Sequence, residues 1–313
     1  MIIVTGGAGF IGSNIVRQLN AAGERQILVV DDLTDGHKTH NLADCDIADY
    51  MDKDDFLVWI EEGEAFEGVR AILHQGACTT TTEWDGRYMM RLNYDYSKIV
   101  LHYCVGNNIP LIYASSASVY GAGTEFAVER ANEHPINAYA YSKWQFDQYL
   151  RANWAAIDSQ VVALRYFNVY GPGERHKGGM ASVIWHFHNQ LLAGDVVRLF
   201  EGSDGYANGE QQRDFIHVDD VAAVNLWLLE QPDCRGIYNL GTGKSRTFND
   251  VARAVIDWHG RGRIEYIPFP EKLEGSYQSF TEADMTGLRD AGYDAAFLDI
   301  EDGVKRYLDV IGR

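Results

Sequence analysis

The sequence predicts a doubly wound α/β fold: a parallel sheet covered on both faces by helices, with a smaller α/β lobe stitched from discontinuous segments. Three observations carry this. Short β-branched runs alternate with longer amphipathic stretches as far as Tyr170, a glycine-rich turn joins the first run to the first stretch, and the rhythm breaks after Gly171-Pro172. Such alternation builds a parallel sheet, and runs like Ile27-Leu28-Val29-Val30 suit strands buried on both sides.

Taken in chain order, the predicted strands are Ile2–Thr5, Ile27–Val30, Ala71–His74, Pro110–Ala114 and Val161–Tyr166. The amphipathic stretches between them are Phe10–Ala22, Asp54–Glu62, Met89–Val105 and Tyr139–Ala152. Residues 172–212 are rich in Gly, His and loop formers, and Ser203–Gly209 reads as an exposed turn. A strand–helix pair at Asp214–Glu230 resumes the first rhythm; Phe248–Trp258 and Glu301–Ile311 read as helices, and Ile264–Phe280 as irregular. The expected division is residues 1–171 plus about 213–240 in the larger domain, and about 172–212 plus 241–313 in the smaller. Some C-terminal segments are expected to return to the first domain.

The chain has 313 residues, 45 acidic against 27 basic side chains and a formal charge of −18. Its aromatic residues (13 Phe, 18 Tyr, 7 Trp) give enough surface to bury that disorder is excluded as the main state. The negative balance argues against a nucleic-acid or anionic-membrane surface, while allowing a local basic pocket for a small anion. No stretch approaches the roughly 18–20 apolar residues of a membrane helix. Met1 leads directly into Ile2-Ile3-Val4 without a basic segment, and Cys45, Cys78, Cys104 and Cys234 are too widely spaced for a metal or disulfide pattern. A cytoplasmic address is expected.

Thr5-Gly6-Gly7-Ala8-Gly9-Phe10-Ile11-Gly12 follows an apolar strand and opens a helix. In that context the glycines predict a dinucleotide site, because they permit a tight turn and close approach of a pyrophosphate to backbone N–H groups. The next strand ends in Asp31-Asp32, where an acid binds ribose hydroxyls and favours NAD. Lys38 and Lys53 follow, and either ammonium can pair with a 2′-phosphate, which favours NADP. Tyr139 and Lys143 stand four apart at the head of a helical stretch, so a cation can bias a phenol whose ordinary pKa is about 10 toward phenolate. Upstream, Ser115-Ser116 ends a strand, placing a hydroxyl where it can hydrogen-bond a substrate oxygen. Nothing spaces His, Cys or carboxylates for a catalytic metal.

Together these residues resemble the extended short-chain dehydrogenase/reductases, the family of nucleotide-sugar epimerases and dehydratases with a Rossmann-type sheet. The resemblance runs through Thr5–Gly12, Asp31, His74-Gln75-Gly76-Ala77, Asn93, Ser116 with Tyr120-Gly121, and Tyr139/Lys143. It continues through Arg165–Pro172 and Arg213-Asp214-Phe215-Ile216-His217-Val218, covering essentially the whole chain. Glu83-Trp84-Asp85-Gly86, Gly178–Val183, Phe200-Glu201-Gly202-Ser203 and Tyr266–Pro270 narrow it to the ADP-L-glycero-D-manno-heptose 6-epimerases. Those enzymes make the ADP-heptose of the lipopolysaccharide inner core, hold NADP tightly and form homo-oligomers, commonly pentamers.

The resemblance implies inversion at C6 by hydride transfer to bound NADP, a transient ketone, and hydride return to its other face. It implies Tyr139, Lys177, Ser116 and Lys143 as catalytic residues, Lys177 standing either as the second acid/base or as a binding residue only. For the cofactor it implies Gly6, Gly9, Phe10, Ile11, Gly12, Asp31, Asp32, Lys38, Lys53, Gln75, Gly76, Ala77, Cys78, Thr79, Asn93, Lys143, Val169 and Lys177. For the substrate it implies Asn168, Gly179, His186, Phe200, Glu201, Gly202, Ser203, Arg213 and Tyr277. Two departures stand out: Leu92 occupies a position usually Asn, and Gly179 one often Ser. A dehydratase would carry an Asp-Glu pair after the active-site hydroxyl, where this chain has Ala117-Ser118-Val119. Another nucleotide-sugar epimerase remains an alternative. A nonenzymatic dinucleotide sensor would not need Ser116, Tyr139 and Lys143 together.

Overall fold

The computed structural model describes residues 1–64, 66–270 and 278–312. Strand β1 (Ile2–Thr5), helix α1 (Phe10–Ala21) and β2 (Ile27–Asp31) open the chain, followed by β3 (Asp49–Asp52), α2 (Lys53–Glu61) and β4 (Ala71–His74). Helix α3 (Gly86–Met89) passes through a π-turn at Met90–Asp95 into α4 (Tyr96–Gly106). Then come β5 (Leu111–Ser116), α5 (Ala138–Asn153), β6 (Val161–Tyr166) and β7 (Asn168–Tyr170). The next elements are α6 (Val183–Ala193), β8 (Val196–Phe200), β9 (Gln212–His217), α7 (Val218–Leu229) and β10 (Gly236–Leu240). The chain ends with β11 (Ser245–Thr247), α8 (Phe248–His259), β12 (Arg263–Ile267), α9 (Thr286–Asp290) and α10 (Ile300–Ile311).

Seven strands pair in the order β10-β6-β5-β4-β1-β2-β3, all parallel. This is the doubly wound sheet the sequence predicts. Every residue of β1, β2, β4 and β6 is buried, as near-continuous apolar runs require when both faces are covered. Helices α1 and α7 cover one face through Ile15, Val16, Leu19, Val221 and Leu228. The other face lies under α2, α4 and α5 through Phe56, Ile60, Val100, Phe146 and Leu150. The edge strand β3 has no apolar run to betray it; its end residues Asp49 and Asp52 are what an unpaired edge tolerates.

Despite its loop formers, 172–212 contains α6, which buries Ile184, Phe187 and Leu191, and β8. Strand β8 pairs in parallel with β12, whose place in the stretch Ile264–Phe280 corrects the expectation of irregular structure there. These pack with α8 and α10 around a separate core of Val197, Leu199, Val251, Val255, Val304 and Leu308. The predicted strand at 214 also behaves differently: β9 joins a three-stranded sheet, β11-β9-β7, while α7 and β10 return to the large sheet. Asp214, fully buried in β9, accepts the backbone N–H groups of Thr242, Gly243 and Ala283 at 2.7–3.0 Å and so ties β9 to the turn before β11. Helix α8 is closed at both ends by local chemistry, a Thr247/Asp250 capping box and a left-handed Gly260 at φ +62°.

Beneath the sheet ends lies a buried ion cluster. Arg165 of β6 has no exposed surface and donates to Asp147 of α5 (2.8 and 2.9 Å) and to Glu133 (2.6 Å). Asp147 also accepts from Tyr113 (2.8 Å) and Ser115 (3.0 Å) of β5. The helix carrying Tyr139 is thereby tied to both strands under it.

Candidate active site

The C-terminal ends of β1, β2, β4 and β5 open onto two adjoining clefts of about 440 and 690 Å³, which share Phe10, Ile11, Gln75, Ala77, Thr79, Lys177 and Met180. In the first cleft the glycine turn is packed as its residues dictate. Gly6 has φ +66°, and a Cβ there would lie 2.6 Å from the Gly76 nitrogen; a Cβ on Gly12 would lie 2.1 Å from the Gly6 oxygen. Gly9 precedes α1 with no side-chain cap, leaving the first N–H groups of the helix free for a ligand. That cradle fits a dinucleotide pyrophosphate. Gly6, Gly9, Phe10, Ile11, Gly12, Asp31, Asp32, Lys38, Lys53, Gln75, Gly76, Ala77, Cys78, Thr79 and Lys177 all line this cleft.

The two strand-end acids divide their work. Asp31 is buried and its carboxylate is engaged by Ala8 N–H (2.8 Å), Asp32 N–H (2.7 Å) and Lys38 Nζ (2.9 Å). It braces the glycine turn. Asp32 is the more exposed of the two, and hydrogen bonds from Thr34, reinforced by Lys53 and Lys38, hold its carboxyl below the ordinary range. Lys53 lies 3.6 Å from Asp32 and 2.8 Å from Asp54. Two ammonium groups thus flank the ribose end.

In the second cleft stand Ser116, Tyr139, Lys143, Asn168, Val169, Lys177, His186, Phe200 and Arg213. Tyr139 sits in the first turn of α5, capped by Asn137, and its hydroxyl bonds Ser116 at the end of β5. Burial raises the Tyr139 phenol above its ordinary value, and the Ser116 bond opposes this only in part. Lys143 donates to the Ala114 carbonyl at 2.8 Å; burial pulls its ammonium down to about 8, with Asp147 opposing. Burial raises this phenol, and the side chain that opposes the rise is Ser116 rather than Lys143. Lys177 lies 5.2 Å over the Phe10 ring, and burial lowers its ammonium against the pull of Glu174. Burial, not a neighbouring cation, is what moves it.

Several expected residues are not brought to the clefts. Asn93 is fully buried, its amide exchanging bonds with Cys78 N–H (2.8 Å) and C=O (2.9 Å) and reaching Ser142 (3.0 Å). It holds the wall without lining it, whereas Leu92 beside it does line the cleft. Gly179 is exposed, between Lys177 and Met180. Glu201, Gly202 and Ser203 do not line the cleft that Phe200 lines: a Cβ on Gly202 would meet the Tyr206 oxygen at 2.0 Å, and Ser203 accepts from Gln211 (3.1 Å). Tyr277 lies outside the described residues. Sequence reasoning missed Arg198, Gln190, Gln211 and Phe248, which line the substrate cleft. The signal for Arg198 is the alternation in β8, where buried Val197 and Leu199 flank the exposed Arg198.

A family model described as the NAD dependent epimerase/dehydratase family matches residues 2–241. The chain belongs to this family. A relative from Alkalilimnicola ehrlichii, an ADP-L-glycero-D-manno-heptose-6-epimerase, is 60% identical over 311 residues, covering 99% of this chain and 97% of its own. The Helicobacter pylori ADP-L-glycero-D-manno-heptose-6-epimerase structure aligns with TM-score 0.85 at 29% identity, over 99% of this chain and 96% of that one. The Thermus thermophilus UDP-glucose 4-epimerase complex with NAD aligns at TM-score 0.80 and 28% identity, over 98% and 97%. In this epimerase/dehydratase chain no helix among the described residues is long and apolar enough to cross a membrane.

Proposed function

We propose that this chain is an NADP-dependent epimerase interconverting ADP-D-glycero-D-manno-heptose and ADP-L-glycero-D-manno-heptose at C6. The observation that carries the reading is the convergence of Ser116, Tyr139, Lys143 and Lys177 on one cleft in a chain 60% identical, nearly end to end, to an enzyme of that name. A carbinol C–H is not acidic, so inversion needs hydride removal and return; bound oxidised nicotinamide supplies the hydride acceptor and a positive charge. The protein's part is proton handling. Tyr139 moves the hydroxyl proton of one epimer, with Ser116 steadying the reacting oxygen and Lys143 the phenol's surroundings. Lys177, from the opposite wall, serves the other epimer. Arg213 and Arg198 are suited to the diphosphate, and Asn168 and His186 to the sugar.

Lys38 and Lys53 support NADP over NAD. The product class suits assembly of a lipopolysaccharide core from the cytoplasmic side, and the resemblance supports a homo-oligomer, in which exposed Trp84, Leu192 and Val310 are available for burial. The deciding experiment mixes the purified protein with ADP-D-glycero-D-manno-heptose and follows C6 configuration by NMR. Interconversion is the expected result; a folded, dinucleotide-loaded sample that leaves C6 unchanged rejects the assignment. Heating the protein and identifying the released dinucleotide tests NADP, and sedimentation velocity tests the assembly.

A further inference from the structure

His74 ends β4 beside Thr5, its register partner at the end of β1, and is almost wholly buried. Its Nδ1 lies 2.6 Å from Thr5 Oγ1 and its Nε2 2.9 Å from Ser97 Oγ. The protons of this chain can be assigned by elimination. Ser97 spends its one proton on the Asn93 carbonyl at 2.5 Å, so it accepts from His74 and Nε2 carries hydrogen. Thr5 Oγ1 accepts from Gly76 N–H at 3.2 Å and gives its own proton to Nδ1. A neutral imidazole is required in this arrangement. Burial agrees, pushing the ring down to about 3 with help from nearby Lys143.

Both ends of this chain reach the clefts. Thr5 and Gly76 line the first one. At the other end the π-turn presents Asn93, whose side chain holds both backbone groups of Cys78 and bonds Ser142, and Ser142 donates to the Tyr139 carbonyl at 2.7 Å.

We propose that His74 is a positioning residue: an imidazole kept neutral with its proton on Nε2, which locks the glycine-turn strand to the π-turn and thereby aligns the Gly76–Cys78 wall with the turn bearing Tyr139. Its predicted effect on dinucleotide retention rests on reading the first cleft as the dinucleotide site. A neutral donor–acceptor bridge of this kind is matched among neutral side chains by an amide but not by an alkyl group.

The first test is long-range 1H–15N NMR on histidine-labelled protein, with the His74 signals identified by their loss in His74→Gln. The expected pattern is hydrogen on Nε2 and none on Nδ1, unchanged through the range around 6.5 where ordinary histidines titrate. An imidazolium or an Nδ1–H form overturns the assignment whatever the function proves to be. The second test measures dinucleotide dissociation from His74→Leu, Thr5→Val and His74→Gln, with melting temperature alongside. His74→Leu and Thr5→Val are expected to release dinucleotide about tenfold faster, and His74→Gln to recover most of the loss. Equal retention in all three, or loss that follows melting temperature alone with no rescue by Gln, overturns the positioning role. Wild-type protein without any dinucleotide would instead reject the cleft assignment, leaving the NMR result to judge His74.

Discussion

At the dinucleotide end, Thr5, Asp31, His74 and Asn93 commit their polar atoms to one another and to the backbone of the cleft walls. At the substrate end, His186 and Arg198 make no side-chain hydrogen bond among the described residues, and both project from elements remote from the large sheet. The first arrangement fixes a shape before any ligand arrives; the second leaves the His186 and Arg198 side chains for a ligand to satisfy. A cofactor that is regenerated every cycle rewards a preformed cradle, since ordering costs are met during folding. A substrate that must enter, present two epimers and leave is better served by side chains with unspent donors.

This contrast makes predictions that separate the two ends. The largest effect belongs to Tyr139→Phe, which is expected to cut turnover by about 10²–10⁴-fold while leaving bound dinucleotide in place. Initial rates and dinucleotide content measured on one sample check it; joint loss of both would move the hydroxyl into the cradle. Arg165→Met should cost about 3–5 kcal/mol in urea unfolding, because Asp147 and Glu133 would be left charged and buried. That loss tests whether the preformed end owes its rigidity to the ion cluster.

Next comes Lys143, whose ammonium falls from 10.5 to about 8 on folding. Between those values the unfolded chain binds more protons, so native stability rises with pH across the window and the burial cost is fully felt below it. Without dinucleotide, Lys143→Met should gain up to about 3 kcal/mol near neutral pH, shrinking to nothing by about pH 10.5. Denaturant titrations of both proteins across the window measure this. The smallest effect is assigned to Arg198→Ala, a KM raised about tenfold with kcat and dinucleotide retention little changed. A fall in retention would show that the two ends are not separable.

The same contrast explains what was legible in the sequence. Ile2–Thr5, Ala71–His74 and Val161–Tyr166 announce themselves because strands buried on both faces are near-continuous apolar runs. The glycine turn is legible because close backbone approach admits no other residue. By contrast β8 and β12 form a two-stranded sheet with polar and apolar residues mixed, and α6 hides its apolar face among His186, His188, Asn189 and Gln190. Arg198 went unnoticed with them. Asp31 and Asp32 are indistinguishable in sequence; only the Ala8 N–H, donating to one of them, separates a brace from a ligand group. That Phe200 lines the cleft and Glu201–Ser203 do not is encoded by no local pattern.

The three-stranded sheet has a consequence for descent. Its strands β7, β9 and β11 each border an element anchored to the large sheet: β6 before the first, α7 after the second, β10 before the third. The lobe suspended from these strands is therefore not a contiguous segment of chain, since cutting it out severs the chain at every one of those junctions. A change of length confined to a span suspended between anchors, such as 201–211, leaves β5, α5 and Tyr139 where they stand.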